Sequence, residues 1–201
     1  MTRKILVIDT ETGGLDPEVN AICSLAAVVL HEGSPDGAMH VLINDVEGEL
    51  EPAALGINGY SRETLQTYGV SPAAAVEALE QFLLFHDMRL PRKVILAGQN
   101  TKFDIGFLQR LYLLAGREDY GQTFSRRYLD LMAAGELLYQ AGRIDLQDGS
   151  ASLDSICKAV GVPLRREGGV HNALEDAEAT ARALSRTIQM IKHTNIPAHP
   201  L

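Results

Sequence analysis

The segment Lys4-Ile-Leu-Val-Ile-Asp9-Thr-Glu11-Thr-Gly-Gly14 sets the architecture of the chain. The apolar run at residues 5–8 predicts a buried central strand over residues 4–8, and the acidic and glycine residues after it predict a turn. Residues two apart on an extended chain face the same way, so Asp9 and Glu11 should emerge side by side where this strand ends. Two carboxylates that close repel each other unless a cation lies between them. A solvated strand end is the alternative, but the tip of a central strand favours an ion site.

The rest of the chain shows strand and helix patterns around that first strand. Residues 20–30 and 38–44 predict two further strands, joined by a hairpin loop at 31–37, and therefore an antiparallel meander. Strand patterns return at residues 93–97 and 128–131. Helix patterns, two of which begin at a serine cap, cover residues 71–83, 101–115, 132–140, 152–161 and 172–191. We predict an α/β fold with a mixed five-stranded β-sheet flanked by α-helices.

Length and charge bound the function. With 201 residues, 46% of them hydrophobic, and no segment dense in Gly, Pro or Ser to divide it, the chain predicts a single domain over residues 1–192. Residues 193–201 contain two prolines and no periodicity, which predicts a loose tail. The formal net charge of −8 speaks against a protein that coats nucleic acid. It does not speak against an enzyme that needs clustered carboxylates.

The cysteines and the apolar segments bear on location. Cys23 and Cys157 lie in apolar stretches far apart in sequence, which predicts buried free thiols in a reducing compartment. The apolar run near Met1 is short and soon followed by acidic residues, unlike a signal peptide. No apolar run reaches the roughly 18 residues of a membrane span. We expect a cytoplasmic protein that does not associate with membranes.

Two further segments carry residues that could bind a metal ion or take part in catalysis. Asp104 follows the strand at 93–97 and falls in the first turn of a helix, where a capping role is the alternative. Asp176 falls at the edge of the buried stripe of the last helix. His171 precedes that helix and can face whatever Asp176 faces, although alone it would be an ordinary polar loop residue. We predict the stripe itself from Leu174, Ala177, Ala181, Leu184, Ile188 and Ile191.

The set is more informative than any member. Four carboxylates, those of Asp9, Glu11, Asp104 and Asp176, could hold two Mg²⁺ or Mn²⁺ ions, because hard divalent cations prefer oxygen ligands. Such a pair of ions can stabilise both the attacking and the leaving oxygen of a phosphoryl transfer. His171 could accept a proton from an attacking water, since imidazole side chains exchange protons near neutral pH. The sequence lacks the Cys and His cluster typical of a zinc site.

Three strings resemble, in order and spacing, the three exonuclease motifs of the DEDDh family, which includes the proofreading epsilon subunit of bacterial DNA polymerase III and ribonuclease T. They are Ile8-Asp-Thr-Glu-Thr-Gly-Gly-Leu15, Asn100-Thr-Lys-Phe-Asp-Ile-Gly-Phe-Leu108 and His171-Asn-Ala-Leu-Glu-Asp-Ala177. The resemblance extends over residues 4–184. It implies a ribonuclease H-like fold and two-metal hydrolysis that releases nucleoside 5′-monophosphates from the 3′ end of a single strand.

The resemblance also implies roles for particular residues. By motif position, His171 would be the general base, and the metal ligands would be Asp9, Glu11, Asp104 and Asp176. Contacts to the terminal nucleotide would come from Thr10, Thr12, Gly13, Leu15, Asn100, Phe103 and Phe107. Leu15 would pack against the base, whereas the two phenylalanines fit the core better than a substrate contact.

Two positions depart from the family pattern. Gly13 stands where a second threonine is usual, and Gln99 stands where many members have a histidine before Asn100. Both border the implied position of the terminal nucleotide, so we expect this chain to differ in its sugar or base preference. The segment Leu55-Gly-Ile-Asn-Gly-Tyr60 is similar, more weakly, to a loop that family members use near the first motif.

The sequence is compatible with several substrates and several partners. We favour DNA proofreading or repair over RNA 3′-end trimming, but the same five residues serve both because they read the phosphate. The acidic excess predicts distributive trimming or a partner, such as a DNA polymerase or another nucleic-acid enzyme, and the family includes homodimers. A non-catalytic polymerase-associated module and a general metallophosphatase are rival classes. Basic candidates for a strand contact, which solvation would explain equally well, are Arg89, Arg92, Lys93, Arg126, Arg127, Arg165 and Arg166.

Overall fold

The computed structural model describes residues 3–88, 91–147, 149–164 and 170–192. The predicted tail, the glycines before the third motif and three of the basic candidates, Arg89, Arg165 and Arg166, lie outside these ranges. The domain boundary at residue 192 therefore stays a prediction.

Within the described residues, one sheet contains β1 (Ile5–Thr12), β2 (Ile22–His31), β3 (Ser34–Leu42), β4 (Val94–Gly98) and β5 (Phe124–Asp130). The strand order is β3-β2-β1-β4-β5. β2 is antiparallel to both β1 and β3, whereas β4 is parallel to β1 and β5 is parallel to β4. The mixed five-stranded sheet and its antiparallel meander are confirmed.

Helices cover both faces of the sheet. They are α1 (Pro52–Asn58), α2 (Arg62–Tyr68), α3 (Pro72–Phe85), α4 (Thr101–Leu114), α5 (Tyr120–Thr123), α6 (Leu131–Gln140), α7 (Leu153–Ala159) and α8 (Ala173–Lys192). The predicted serine caps are present: Ser71 accepts a hydrogen bond from the N–H of Ala74, and Ser152 from that of Ser155. No described helix combines the length and the apolar character needed to cross a bilayer. The short helices α1, α2 and α5 were not predicted, because they are too brief to show a helical period.

Three sequence predictions need correction. The turn expected after Ile8 is wrong, because β1 continues to Thr12, pairing Asp9 with Ala26 and Glu11 with Ser24 of β2. The predicted hairpin loop at 31–37 is too long, since β3 begins at residue 34 and the turn is formed by residues 32 and 33, both with positive φ. β5 begins at residue 124 rather than 128.

The alternation of side chains along β1 divides the core into two layers. Leu6 and Ile8 pack in a cluster with residues of α3 and α4, whereas Val7 packs in a second cluster with residues of α7 and α8. β1 lies in the middle of the sheet, and β3 and β5 form its more exposed edges. The end of β1 is therefore approached by the start of α4 from one layer and by the start of α8 from the other.

Small residues allow α8 to pack closely on the sheet. Its alanines at 173, 177, 179, 181 and 183 are all fully buried, and the helix contacts β1, β2 and β3. The predicted stripe holds for Ala177, Ala181 and Leu184, but Ile191 is 56% exposed because it lies in the last turn. Cys23 and Cys157 are both buried and do not form a disulfide, as predicted.

A buried ion pair fixes the loop that follows β1. The Asp45 carboxylate, 1% exposed, accepts hydrogen bonds from the backbone N–H groups of Ile22 and Gly48 and lies 3.0 Å from Nε of Arg110. The Arg110 guanidinium also donates to the carbonyl oxygen of Pro17, at 3.2 Å. One side chain of α4 thus holds both a buried acid and the loop after β1.

We expect Arg110→Ala to lower the free energy of unfolding by about 2–4 kcal/mol, because it leaves a buried carboxylate with only backbone donors. Urea unfolding followed by circular dichroism measures the change. Arg182→Ala is a matched control, since Arg182 pairs with Glu178 at 3.2 Å and both side chains are 40% exposed, and it should cost about 0.5 kcal/mol. Equal losses in the two variants would contradict the role assigned to the buried pair.

Candidate active site

The end of β1 presents two acidic side chains to the α8 layer. Asp9 and Glu11 lie on the face of Val7 by alternation, as predicted. Glu11 is 7% exposed, and Asp9 is half-buried. Because β1 runs on to Thr12, both carboxylates project from a paired strand and not from a turn.

Glu11 meets the start of α8. Ligand atoms of Glu11, His171 and Asp176 all lie within 4.8 Å of one another. Nδ1 of His171 is 3.2 Å from Oδ2 of Asp176, which is 4% exposed, whereas the His171 side chain is 38% exposed. The Asn172 side chain accepts a hydrogen bond from the N–H of Leu174, so the helix begins directly after His171.

Asp104 approaches β1 from the opposite layer through Thr10. The N–H and the Oγ1 hydroxyl of Thr10 both donate to Oδ1 of Asp104, at 2.9 and 2.8 Å. A Cβ added at Gly98, the last residue of β4, would lie 3.0 Å from the carbonyl oxygen of Ile8 and 3.5 Å from Oδ2 of Asp104. Glycine at this position therefore leaves room for the carboxylate beside the strand.

The environment of Asp104 favours its protonated form. Burial, with a smaller contribution from the nearby Asp130 carboxylate, raises the pKa of Asp104 to about 7, although the two hydrogen bonds from Thr10 act in the opposite direction. Asp104 is 3% exposed. A cation beside this carboxylate would relieve the cost of ionising it.

The carboxylates are suited to hard divalent cations. Glu11, Asp104 and Asp176 are nearly buried, offer only oxygen ligands and come from two layers to the end of one strand. Like charges buried this close need a compensating positive charge. Asp9 shares the face of Glu11 but is not a member of the 4.8 Å group, and neither is Asp104.

Asp130 is a supporting residue that the sequence prediction missed. Its carboxylate accepts hydrogen bonds from the backbone N–H groups of Asn100 and Thr101, at 3.3 and 3.0 Å, and so satisfies the start of α4. It also accepts from the N–H of Met132, at 2.9 Å, and caps α6. The sequence pattern of an acidic residue directly before a helix indicates the capping of α6, but it does not indicate the hydrogen bonds to the start of α4.

The helix α1 links the first and third motifs. The carbonyl oxygen of Ile57 accepts a hydrogen bond from the backbone N–H of His171, at 3.0 Å. The next residue, Asn58, is buried and donates through Nδ2 to the carbonyl oxygen of Thr12, at 2.9 Å. The segment at residues 55–60 therefore lies against the first motif, as its weak similarity suggested, and it also fixes the backbone of His171.

Comparison with known proteins gives the family. The RNase_T family model, described as an exonuclease, matches residues 6–184, which is most of the chain. The chain belongs to the RNase_T exonuclease family.

The relatives of this exonuclease-family chain include PolC-type DNA polymerases III and ribonucleases T. A PolC-type DNA polymerase III from Thermotoga petrophila is 32% identical over 192 residues, which is 95% of this chain but 12% of the relative's length. The chain thus spans about an eighth of the length of these PolC-type relatives. A ribonuclease T from Klebsiella pneumoniae is 28% identical over 204 residues, covering 93% of this chain and 85% of that protein.

Solved structures confirm the ribonuclease H-like fold. Exonuclease I of E. coli in complex with a dT13 oligonucleotide superposes with a TM-score of 0.76 at 18% sequence identity. The match covers 96% of this chain and 43% of the exonuclease I chain.

The residues implied as substrate contacts differ in accessibility. Leu15 is 83% exposed, and Asn100 is exposed with a left-handed backbone, so both are free to meet a ligand. Phe107 is fully buried in the α4 layer, and its assignment as a substrate contact is wrong. Phe103 is partly buried against that core, with its ring centroid 5.0 Å from that of Phe107. The hydroxyl of Thr12 donates to the carbonyl oxygen of Gly14, at 2.7 Å.

Both departures from the family pattern have structural counterparts. A Cβ at Gly13 would lie 2.1 Å from the carbonyl oxygen of Glu49, so the chain passes too close here for the usual threonine. Gln99 donates through Nε2 to the carbonyl oxygen of Ala151, at 2.7 Å, and thereby ties the end of β4 to the segment before α7. The effect of these two departures on nucleotide preference stays a prediction.

We expect the stability of the metal-free protein to show the titration of Asp104. Its raised pKa favours the folded state below the unfolded value of 3.8, and that contribution is lost as the pH rises through about 7. Asp104→Asn keeps an oxygen for the Thr10 hydrogen bonds but cannot ionise. Relative to the parent, this variant should gain up to about 4 kcal/mol in the free energy of unfolding between pH 4 and pH 8.

Urea unfolding in EDTA at several pH values measures this gain. Asp36→Asn on the exposed strand β3 is the control, and its pH dependence should parallel that of the parent. A parallel curve for Asp104→Asn as well would contradict the raised pKa.

We expect Gly13→Ala to destabilise the fold by about 1–3 kcal/mol, because the new methyl group meets a backbone oxygen that cannot move alone. Gly56→Ala is the matched control: nothing lies within 4 Å of a Cβ there, and alanine in α1 should stabilise by about 0.5–1 kcal/mol. Thermal unfolding of both variants decides the point. A neutral Gly13→Ala would show that the chain relaxes at this contact.

Proposed function

We propose that this chain is a metal-dependent 3′-5′ exonuclease of the DEDDh type, acting on single-stranded nucleic acid and releasing nucleoside 5′-monophosphates. The observation that carries the proposal is the close group of Glu11, His171 and Asp176, in a member of an exonuclease family. The buried Asp104 is hydrogen-bonded to Thr10 of the same strand as Glu11. DNA is the favoured substrate. We also propose that the protein is located in the cytoplasm.

Four carboxylates would hold two Mg²⁺ or Mn²⁺ ions: Asp9, Glu11, Asp104 and Asp176. Bound divalent ions would supply positive charge for the scissile phosphate and lower the pKa of a coordinated water. The chain's own part is to present the oxygens in ionised form and in fixed positions. For Asp104 the two hydrogen bonds from Thr10 hold Oδ1 against β1 and offset part of the effect of burial on its pKa, and a bound cation would favour the ionised form further.

His171 is proposed as the general base. Donation from Nδ1–H to Oδ2 of Asp176, over 3.2 Å, favours the tautomer in which Nε2 carries a free lone pair. That nitrogen can take a proton from water, and the His171 side chain as a whole is 38% exposed. The hydrogen bond from its backbone N–H to Ile57 limits how far the residue can move.

The 3′ end would be received by the loop after β1. Leu15 is the apolar side chain exposed there, and it is suited to pack against the terminal base. The backbone at Thr10, Thr12 and Gly13 borders the same position. Asn100, exposed at the start of α4, is the further contact that we retain.

Two classes of relative bear on the substrate. The PolC-type polymerases and the dT13 complex of exonuclease I support DNA. The ribonuclease T of Klebsiella pneumoniae, of which this chain covers 85%, supports an exoribonuclease as the alternative. A DNA polymerase partner follows from the first class and a homodimer from the family resemblance, and both are proposals.

The test is a time course with a single DNA strand labelled at its 5′ end, in the presence of Mg²⁺ or Mn²⁺. We expect a ladder that shortens from the 3′ end, no cutting of a circular strand, and no reaction in EDTA. Glu11→Gln and Asp176→Asn should each lower kcat by about a hundredfold or more, since each removes a metal ligand. Glu178→Gln, two residues beyond Asp176 and paired with Arg182, should stay within twofold.

Matched RNA and DNA oligonucleotides in the same assay decide the sugar preference, and a higher kcat/KM on RNA would select the exoribonuclease. Equal cutting of circular and linear strands would contradict exonuclease chemistry. Hydrolysis of nitrophenyl phosphate with inert oligonucleotides would indicate a metallophosphatase. Inertness on every substrate, together with no metal binding by calorimetry, would indicate a binding module.

A further inference from the structure

An open groove of about 640 Å³ runs along the outer face of α4, between that helix and the edge strand β5. Residues of α4 one turn apart form one wall, including Lys102 and Gly106, and residues of β5 form the other, including Arg126 and Tyr128. Neither the fold nor the chemistry at the end of β1 requires this groove.

The groove is basic in a chain with a net charge of −8. Lys93, Lys102 and Arg126 line it, and its lining contains no acidic residue. Within the described ranges, Lys102 and Arg126 make no hydrogen bond or ion pair, whereas Lys93 donates to the carbonyl oxygen of Gly121. Two cations are therefore available for an anionic ligand.

Aromatic and polar side chains accompany these cations. Tyr128 lines the groove and is 42% exposed, while the ring of Tyr120 packs against that of Phe124 with centroids 4.9 Å apart. Gln109 and Ser125 supply uncharged hydrogen-bonding groups. A basic groove with an accessible aromatic ring is the surface that binds single-stranded nucleic acid without regard to sequence.

The groove begins beside the candidate active site. Lys102 lies in the first turn of α4, two residues before Asp104. Pro17, which also lines the groove, follows Leu15 by two residues and packs on Gly106, where an added Cβ would lie 3.2 Å from its ring. A strand whose end lies at Leu15 can enter the groove without crossing the body of the protein.

A second groove on the other side of Gly106 has the opposite character. It is lined by Glu18 and Glu47, and its one cation, Arg110, is paired with Asp45. A nucleic-acid strand that leaves the loop after β1 could therefore follow either groove. Charge favours only the basic groove between α4 and β5.

We propose that the groove between α4 and β5 binds the nucleotides that lie 5′ of the terminal two, with Lys102 and Arg126 at phosphates and Tyr128 stacked on a base. This rests on the proposed function, since it assigns a path to the substrate of the same site. It also explains how an acidic protein holds a polyanion away from its metal ligands.

The test compares Lys102→Gln/Arg126→Gln with the control pair Lys158→Gln/Arg186→Gln, whose side chains lie outside the groove. For a 12-nucleotide strand, the groove variant should raise KM about tenfold with kcat within twofold, whereas a dinucleotide should be cleaved with unchanged KM. The slope of log kcat/KM against log salt concentration should fall by about 1.4, the value for two phosphates of a single strand. Tyr128→Ala should raise KM for the long strand about fivefold or more.

Equal effects of the groove and control pairs, or equal effects on long and short substrates, would overturn the proposal. Binding of a fluorescein-labelled 12-nucleotide strand in EDTA, followed by anisotropy, separates this outcome from failure of the proposed function. Weaker binding by the groove variant in a protein that cleaves nothing would support the groove and contradict the exonuclease. Unchanged binding together with normal cleavage would contradict the groove and support the exonuclease.

Discussion

Two hydrogen bonds from one residue, Thr10, hold the candidate site together. They attach Asp104, from the α4 layer, to the strand whose neighbouring residues Asp9 and Glu11 face the α8 layer. Alternation along a single strand thus recruits acids from both sides of the sheet. The arrangement requires β1 to stay paired with β2 beyond its apolar part, and the register shift comes only between Glu11 and Thr12.

Local pattern was sufficient for elements that local chemistry controls. The serine caps of α3 and α7 were predictable because the capping bond is made within three residues. The end of β1 was not, because residues 9–12 have the composition of a turn and become a strand only by pairing with β2. The same holds for α1, whose place depends on hydrogen bonds from Asn58 to Thr12 and from His171 to Ile57.

The site shows the same division. The acidic residues and His171 could be proposed from their spacing, since they carry recognisable chemistry. Their supports could not, because the hydroxyl of Thr10 and the carboxylate of Asp130 act on groups that are 94 and about 30 residues away in sequence. Phe103 and Phe107 were equivalent in sequence, and only the packing of α4 showed that Phe107 is fully buried.

The edge position of β5 gives its charged residues a second consequence. An unpaired strand edge offers free backbone groups to any other strand, and charged side chains along such an edge discourage aggregation. Arg126 and Arg127 lie on this edge and are exposed. Loss of these basic residues from β5 would therefore weaken the protection against aggregation as well as the proposed binding of a nucleic-acid strand. Arg126, which we assign to substrate, is thus also suited to discourage the pairing of this edge with another copy of the chain.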